Sequence, residues 1–144
     1  MSELNNHPLI LKYIEHNQFG KLVEFKFNIN SPGVVEYKVH IQSKHLATPI
    51  AAHGGMIASL LDATIGVGAL SLVCQEEQVV STIDLQITFL SPVFEGNTLT
   101  CTSSVLKEGK RILFMEATAM NEEGVQVAKA SGCLNRYPKE NAGY

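Results

Sequence analysis

The chain predicts an α+β fold, with one long helix laid against a six-stranded antiparallel sheet. Three observations carry this. An apolar, small-residue run, HGGMIASLLDATIGVGALSLVC (53–74), is too long for a strand and reads as a buried helix. Segments on either side of it alternate apolar and polar residues with a period of two. Turn signals join those segments at Asn30-Ser31-Pro32-Gly33, Glu108-Gly109-Lys110 and Asn121-Glu122-Glu123-Gly124. A chain of 144 residues is expected to form a single domain (1–144) with one sizeable core.

Residues 1–20 read as an N-terminal helical segment. Within 8–16, Pro8 sits early, and Leu9, Ile10, Tyr13 and Ile14 fall at helical spacing. Residues 21–30 and 34–42 are expected as paired strands. In the second, Val35, Tyr37, Val39 and Ile41 alternate with Glu36, Lys38 and His40. The stretch 43–52 contains Pro49 and reads as a loop. The long helix follows and ends near Cys74. Strands are expected at 79–90, 98–106, 111–120 and 125–135. In the first, Ile83, Leu85, Ile87 and Phe89 point one way, and Thr82, Asp84, Gln86 and Thr88 the other. Ser91-Pro92 stops it. The tail, 137–144, is expected to be loose. One helix cannot cover both faces of such a sheet, so self-association is expected, by default as a two-fold homodimer.

Composition excludes several functions. Net charge is −3 with acids and bases interspersed, which leaves no basic footprint for nucleic acid. The three cysteines, Cys74, Cys101 and Cys133, form no CxxC pair, so no metal site is expected. Free thiols and an N-terminus without a secretion pattern fit a cytoplasmic protein. The run 54–74 is long enough to cross a bilayer. A central Asp62 would be expensive there, and the strands need a helix to cover them, so no membrane partner is expected.

Asp62 is the only formally charged residue between Lys44 and Glu76. A carboxylate buried in such a run is costly unless it is paired or does chemistry. Gly55, Ser59, Asp62, Gly66 and Ala69 lie along one helical stripe, the thin side of the helix. The helix opens on His53-Gly54-Gly55. Its first amides lack intrahelical partners and carry partial positive charge, so they could hold an anion or a developing oxyanion. Asp62 follows Gly55 by seven residues, roughly 10 Å along the axis. Within one chain that is too far for the acid to act on a carbonyl held at Gly55. Antiparallel pairing of two helices would bring Gly55 of one chain to Asp62 of the other, which favours a site shared across a dimer.

His53-Gly54-Gly55 followed by Leu61-Asp62 resembles the HGG…D signature of the hotdog-fold acyl-CoA thioesterases, in the branch of the phenylacetate-pathway enzymes. Residues 81–92 (STIDLQITFLSP) resemble that family's long strand and closing proline, and Gly109-Lys110-Arg111 and Gly124…Ala128 its later hairpins. The resemblance covers roughly 20–136. It implies a hotdog fold, a homodimer or homotetramer, and hydrolysis of an acyl-CoA thioester with no cofactor beyond the coenzyme A of the substrate. By position, Asp62 would be general base or nucleophile. The Gly55 amide would polarise the carbonyl, His53 would shape the loop, and Thr82 would stand near the attacking water. Gly54, Ser59, Thr48 and His45 would border the substrate. Many relatives carry Asn or Gln where this chain has Ala47. Either His45 or Thr48 substitutes, or water is held less firmly.

Lys110 and Arg111, with Lys107, Lys129 and Arg136, are candidates for the CoA phosphates or are solvated surface charges. Met56, Leu60 and Phe89 are either acyl-pocket lining or core. Other functions compatible with the fold are an acyl-thioester dehydratase or hydratase and a non-catalytic acyl-CoA-binding protein. The first would need a different His–acid arrangement. The second usually carries an extra DNA-binding segment.

Overall fold

A computed structural model describes residues 2–144. The elements run α1 (Pro8–His16), α2 (Gln18–Leu22), β1 (Lys26–Ser31), β2 (Val34–His40), α3 (Gly54–Val73), β3 (Gln78–Phe89), β4 (Thr98–Glu108), β5 (Ile112–Met120) and β6 (Gln126–Pro138). All six strands form one antiparallel sheet in the order β1-β2-β4-β5-β6-β3. The sheet curls around α3, which touches every strand. This is the expected α+β architecture.

Helix α3 is apolar almost all round because the sheet surrounds most of it. Leu60, Leu61, Ile65 and Val73 are fully buried and pack on Leu99, Leu113, Met115 and Leu134 from β4, β5 and β6. Gly68 allows the closest approach of helix to sheet: a Cβ there would lie 2.6 Å from Ser103 Oγ. What remains partly open on α3 is a narrow stripe through Ser59, Asp62, Ala63 and Gly66. Ala69, expected on that stripe, is buried instead.

Two elements depart from the sequence reading. Residues 18–22 are helical, and β1 begins only at Lys26. Asn17 starts this short helix by accepting the Gly20 N–H on its side chain at 3.0 Å. Glu24, with φ of 60°, then reverses the chain. The tail is also anchored. Residues 139–142 form a 3-10 turn, Lys139 pairs with Glu77, and Tyr144 packs against the core.

Strand β3 is the outer edge of the sheet beside β6. Its register slips between Thr82 and Asp84, so Ile83 is a bulge with no partner on β6. Thr82 pairs with Leu134, Leu85 with Gly132 and Ile87 with Ala130. Directly opposed residues share a face of the sheet, and Leu134 is buried against α3. The bulge therefore puts Thr82 on the helix-facing side together with Leu85 and Ile87. This corrects the simple alternation, which placed Thr82 with Asp84 on the far side and Ile83 with the apolar set.

Candidate active site

The bulge brings Thr82 to Asp62. The threonine Oγ1 donates to Asp62 Oδ1 at 2.7 Å. Asp62 is half-buried at the mouth of a cavity of about 330 Å³. No cation pairs with the carboxylate among the described residues. A lone acid beside a cleft is therefore available for chemistry, where a salt-bridged one would not be. The cavity runs between α3, where Ala63 and Gly66 keep the wall low, and the first half of β3. Tyr13 of α1, Tyr137 of β6 and Tyr144 of the closing turn complete it. The sequence reading missed these tyrosines because their spacing along the chain carries no motif; only the fold gathers them.

The amino end of α3 forms a separate recess. His53 is the N-cap, and its Nδ1 accepts the Gly55 N–H at 2.8 Å. The Gly55 amide is therefore capped rather than bare, a correction to the sequence reading. The ring nitrogen occupies the position an oxyanion would need. Gly54, at the first helical position, has no intrahelical acceptor for its N–H, and the Phe89 ring lies beside it. Ser59 donates its hydroxyl back to the Gly55 carbonyl at 2.8 Å. Phe19 and Met56 help to line this recess. The recess shares no lining residue with the Asp62 cavity.

Other candidates separate by burial. His45 is 2% exposed. Its Nδ1 accepts the Gln42 N–H at 2.9 Å, and its Nε2 donates to the Val23 carbonyl at 2.8 Å. Both ring nitrogens are used in holding the 42–45 turn, and the ring borders the recess at the amino end of α3. Thr48 uses its hydroxyl oxygen to accept the Ala51 N–H at 2.8 Å in an exposed turn. Neither residue lines the Asp62 cavity. Leu60 is core, whereas Phe89 is 53% exposed.

Lys110 and Arg111 are exposed at the β4–β5 turn. Arg136 is withdrawn from any ligand role, since its side chain is 8% exposed. Its guanidinium donates to Gln78 Oε1 and Glu76 Oε2, each at 2.7 Å, tying the β3 start to the segment after α3. Among the described residues no cluster of His, Cys, Asp and Glu could hold a metal ion. Burial raises the thiol pKa of Cys74 and pushes that of Cys101 up to about 12. It also raises the Tyr13 phenol, with the Asp62 charge adding to the rise.

A curled antiparallel sheet around one long helix, with an acid on the helix's open stripe, defines the hotdog-fold class. The comparisons agree. A model of the thioesterase superfamily matches residues 51–128, and the chain belongs to that superfamily. Human acyl-coenzyme A thioesterase 13 is 29% identical over 93 residues, 64% of each chain. The medium/long-chain acyl-CoA thioesterase YigI of Salmonella typhimurium is 31% identical over 91 residues, 55% of this chain and 58% of that protein. The match thus spans just under two thirds of the length of these relatives. The E. coli PaaI protein from the phenylacetic acid degradation operon superposes with a TM-score of 0.82, covering 88% of this chain and 89% of that one at 23% identity. A hypothetical thioesterase protein from Streptococcus pneumoniae TIGR4, solved with coenzyme A, superposes with a TM-score of 0.72, covering 79% of this chain and 86% of that one at 22% identity.

Proposed function

We propose that this protein is a cytoplasmic acyl-CoA thioesterase whose site is shared between two chains. The observation that carries the reading is the unpaired Asp62 carboxylate, held by Thr82 at 2.7 Å beside a cleft. Asp62 acts as general base toward water, or attacks the thioester carbonyl itself. In the first case it takes a proton from water as the oxygen bonds to the carbonyl carbon. Collapse of the tetrahedral adduct then breaks the C–S bond, and the leaving sulfur takes a proton to give CoA and free acid. Thr82 fixes the carboxylate and leaves its other oxygen free to face the reactant.

Charge that develops on the carbonyl oxygen needs donors, and the amino end of α3 supplies them. Gly54 and Gly55 lie roughly 10 Å along the helix from Asp62, in a different recess, so both halves serve one thioester only if a second chain contributes one of them. Strand β3 supports such pairing: it is one of the two edges of the sheet, and Ile83, Phe89 and Leu90 are at least half exposed on it or just beyond it. The His53 ring swings off the Gly55 N–H as the carbonyl enters. The cap then becomes a gate that exchanges one acceptor for another.

The relatives' names support the acyl-CoA substrate, as does the S. pneumoniae neighbour solved with coenzyme A. The test is thiol release from a panel of acyl-CoAs by wild type, Asp62→Asn and Asp62→Ala. Wild-type turnover with a loss of about 10²–10⁴-fold in both variants is expected. No release from any thioester, or full rate in both variants, would overturn the reading.

A further inference from the structure

The cavity beside Asp62 is an elongated cleft between α3 and β3. From Asp62 it follows α3 past Ala63 and Gly66 to Leu70, roughly 12 Å of helical rise. On the opposite wall it follows β3 from Thr82 back to Val79, roughly 10 Å of strand. The two walls run over a similar length. Beside Leu70 and Val79 the walls become aromatic. Tyr137 stands opposite Val79 in the β3–β6 register, and Tyr144 lines the cavity from the closing turn.

This far end is built by segments outside the helix–sheet unit. The Tyr144 ring packs edge-on against His16 at the end of α1, with centroids 6.0 Å apart. Tyr13, one turn earlier on α1, closes the side. Its hydroxyl is fixed by Asn17 Nδ2 at 3.0 Å. The turn that carries Tyr144 is tied down twice by Lys139, through its side chain to the Glu77 carboxylate and through its N–H to the Glu77 carbonyl at 3.1 Å. Tyr144 is therefore held in place at this end of the cleft. A volume near 330 Å³ lies at the small end of ligand pockets.

We propose that this cleft is the acyl subsite, and that Tyr144, backed by His16 and flanked by Tyr13, sets its length. It admits short or compact acyl groups and excludes long straight chains. The proposal rests on the thioesterase reading above. In it, Tyr144 is a specificity-determining residue that touches the tail of the acyl group and takes no part in bond making.

The experiment measures kcat/KM for butanoyl-, hexanoyl-, octanoyl-, dodecanoyl- and hexadecanoyl-CoA with wild type, Tyr144→Ala and Tyr144→Trp. The readout is the ratio of dodecanoyl to hexanoyl turnover. In wild type this ratio is below one. Tyr144→Ala opens the end and raises the ratio about tenfold or more, the scale on which pocket walls discriminate chain length. Tyr144→Trp, with a larger plug, moves the optimum toward butanoyl-CoA. Opposite shifts from the two variants cannot come from general loosening of the fold. His16→Ala removes the ring's support and is expected to shift the ratio the same way as Tyr144→Ala, which guards against a Tyr144 variant that does not fold. An active enzyme whose chain-length profile is the same in all variants overturns the subsite and leaves the thioesterase reading standing. Absence of CoA release from every substrate in wild type overturns both.

Discussion

Asp62 and Thr82 are twenty residues apart in sequence and 2.7 Å apart in space. The hydroxyl donates to a charged acceptor, a class of bond worth about 1.5–3 kcal/mol. Thr82→Val keeps the shape and deletes the donor. If the bond positions the base, kcat/KM is expected to fall roughly 10- to 100-fold, and Thr82→Ser to recover most of the rate. Equal rates for Thr82→Val and wild type in a steady-state assay would remove Thr82 from the site. At this scale the sequence marked Asp62 and Thr82, which the fold brings together, and was a poor guide to the partners of the histidines. A lone acid in an apolar run is visible by eye. That His53 caps Gly55, while His45 spends both nitrogens inside the 42–45 turn, depends on loop conformation. No residue pattern encodes that.

At the scale of elements, the bulge at Ile83 does the positioning. Ile83 is 58% exposed and has no cross-strand partner, so it contributes little to the core. It nevertheless sets the phase of everything before it on β3. Deleting Ile83 removes the extra residue and leaves Thr82 opposite Leu134, still facing the helix. The deletion variant is therefore expected to keep the Thr82–Asp62 contact and to lose less activity than Thr82→Val in the same steady-state assay. Thermal denaturation should show only a modest drop in Tm. A loss larger than that of Thr82→Val would mean that the local bend of the bulge, and not only its phase, aims Thr82 at Asp62. Period-two patterning located β3 to within a residue at each end, but it carries no signal for a bulge whose inserted residue is itself apolar. The same limit applies to α2. Its five residues are too few to show a helical period, and Asn17 was the one readable cue, as a capping residue.

At the scale of the molecule, the buried thiols tie stability to pH. Burial holds the Cys101 thiol up to about 12, against a usual value of 9.0. Below 9.0 both folded and unfolded chains keep this proton. Above it the unfolded chain releases the proton and the folded one does not, which favours unfolding. Tm is therefore expected to fall as pH rises from 9 toward 12, and Cys101→Ala to flatten part of that decline. A Cys101→Ala curve parallel to wild type would assign the alkaline loss elsewhere, with Cys74 and Tyr37 as the next buried groups. Fold class and element order were legible from the chain because the long apolar run and the alternating strands leave few other packings. Strand order was not, since β3 crosses to the far edge beside β6, and no local pattern records which strand lies next to which.

The edge position of β3 has one more consequence. The strand that supplies Thr82 is also one free margin of the sheet, so pairing through it would make assembly and turnover depend on the same dozen residues. Rate per chain should then not be constant on dilution. As the enzyme is taken into the range where pairs dissociate, specific activity is expected to drop in step with the paired fraction seen by mass photometry, and to return on reconcentration.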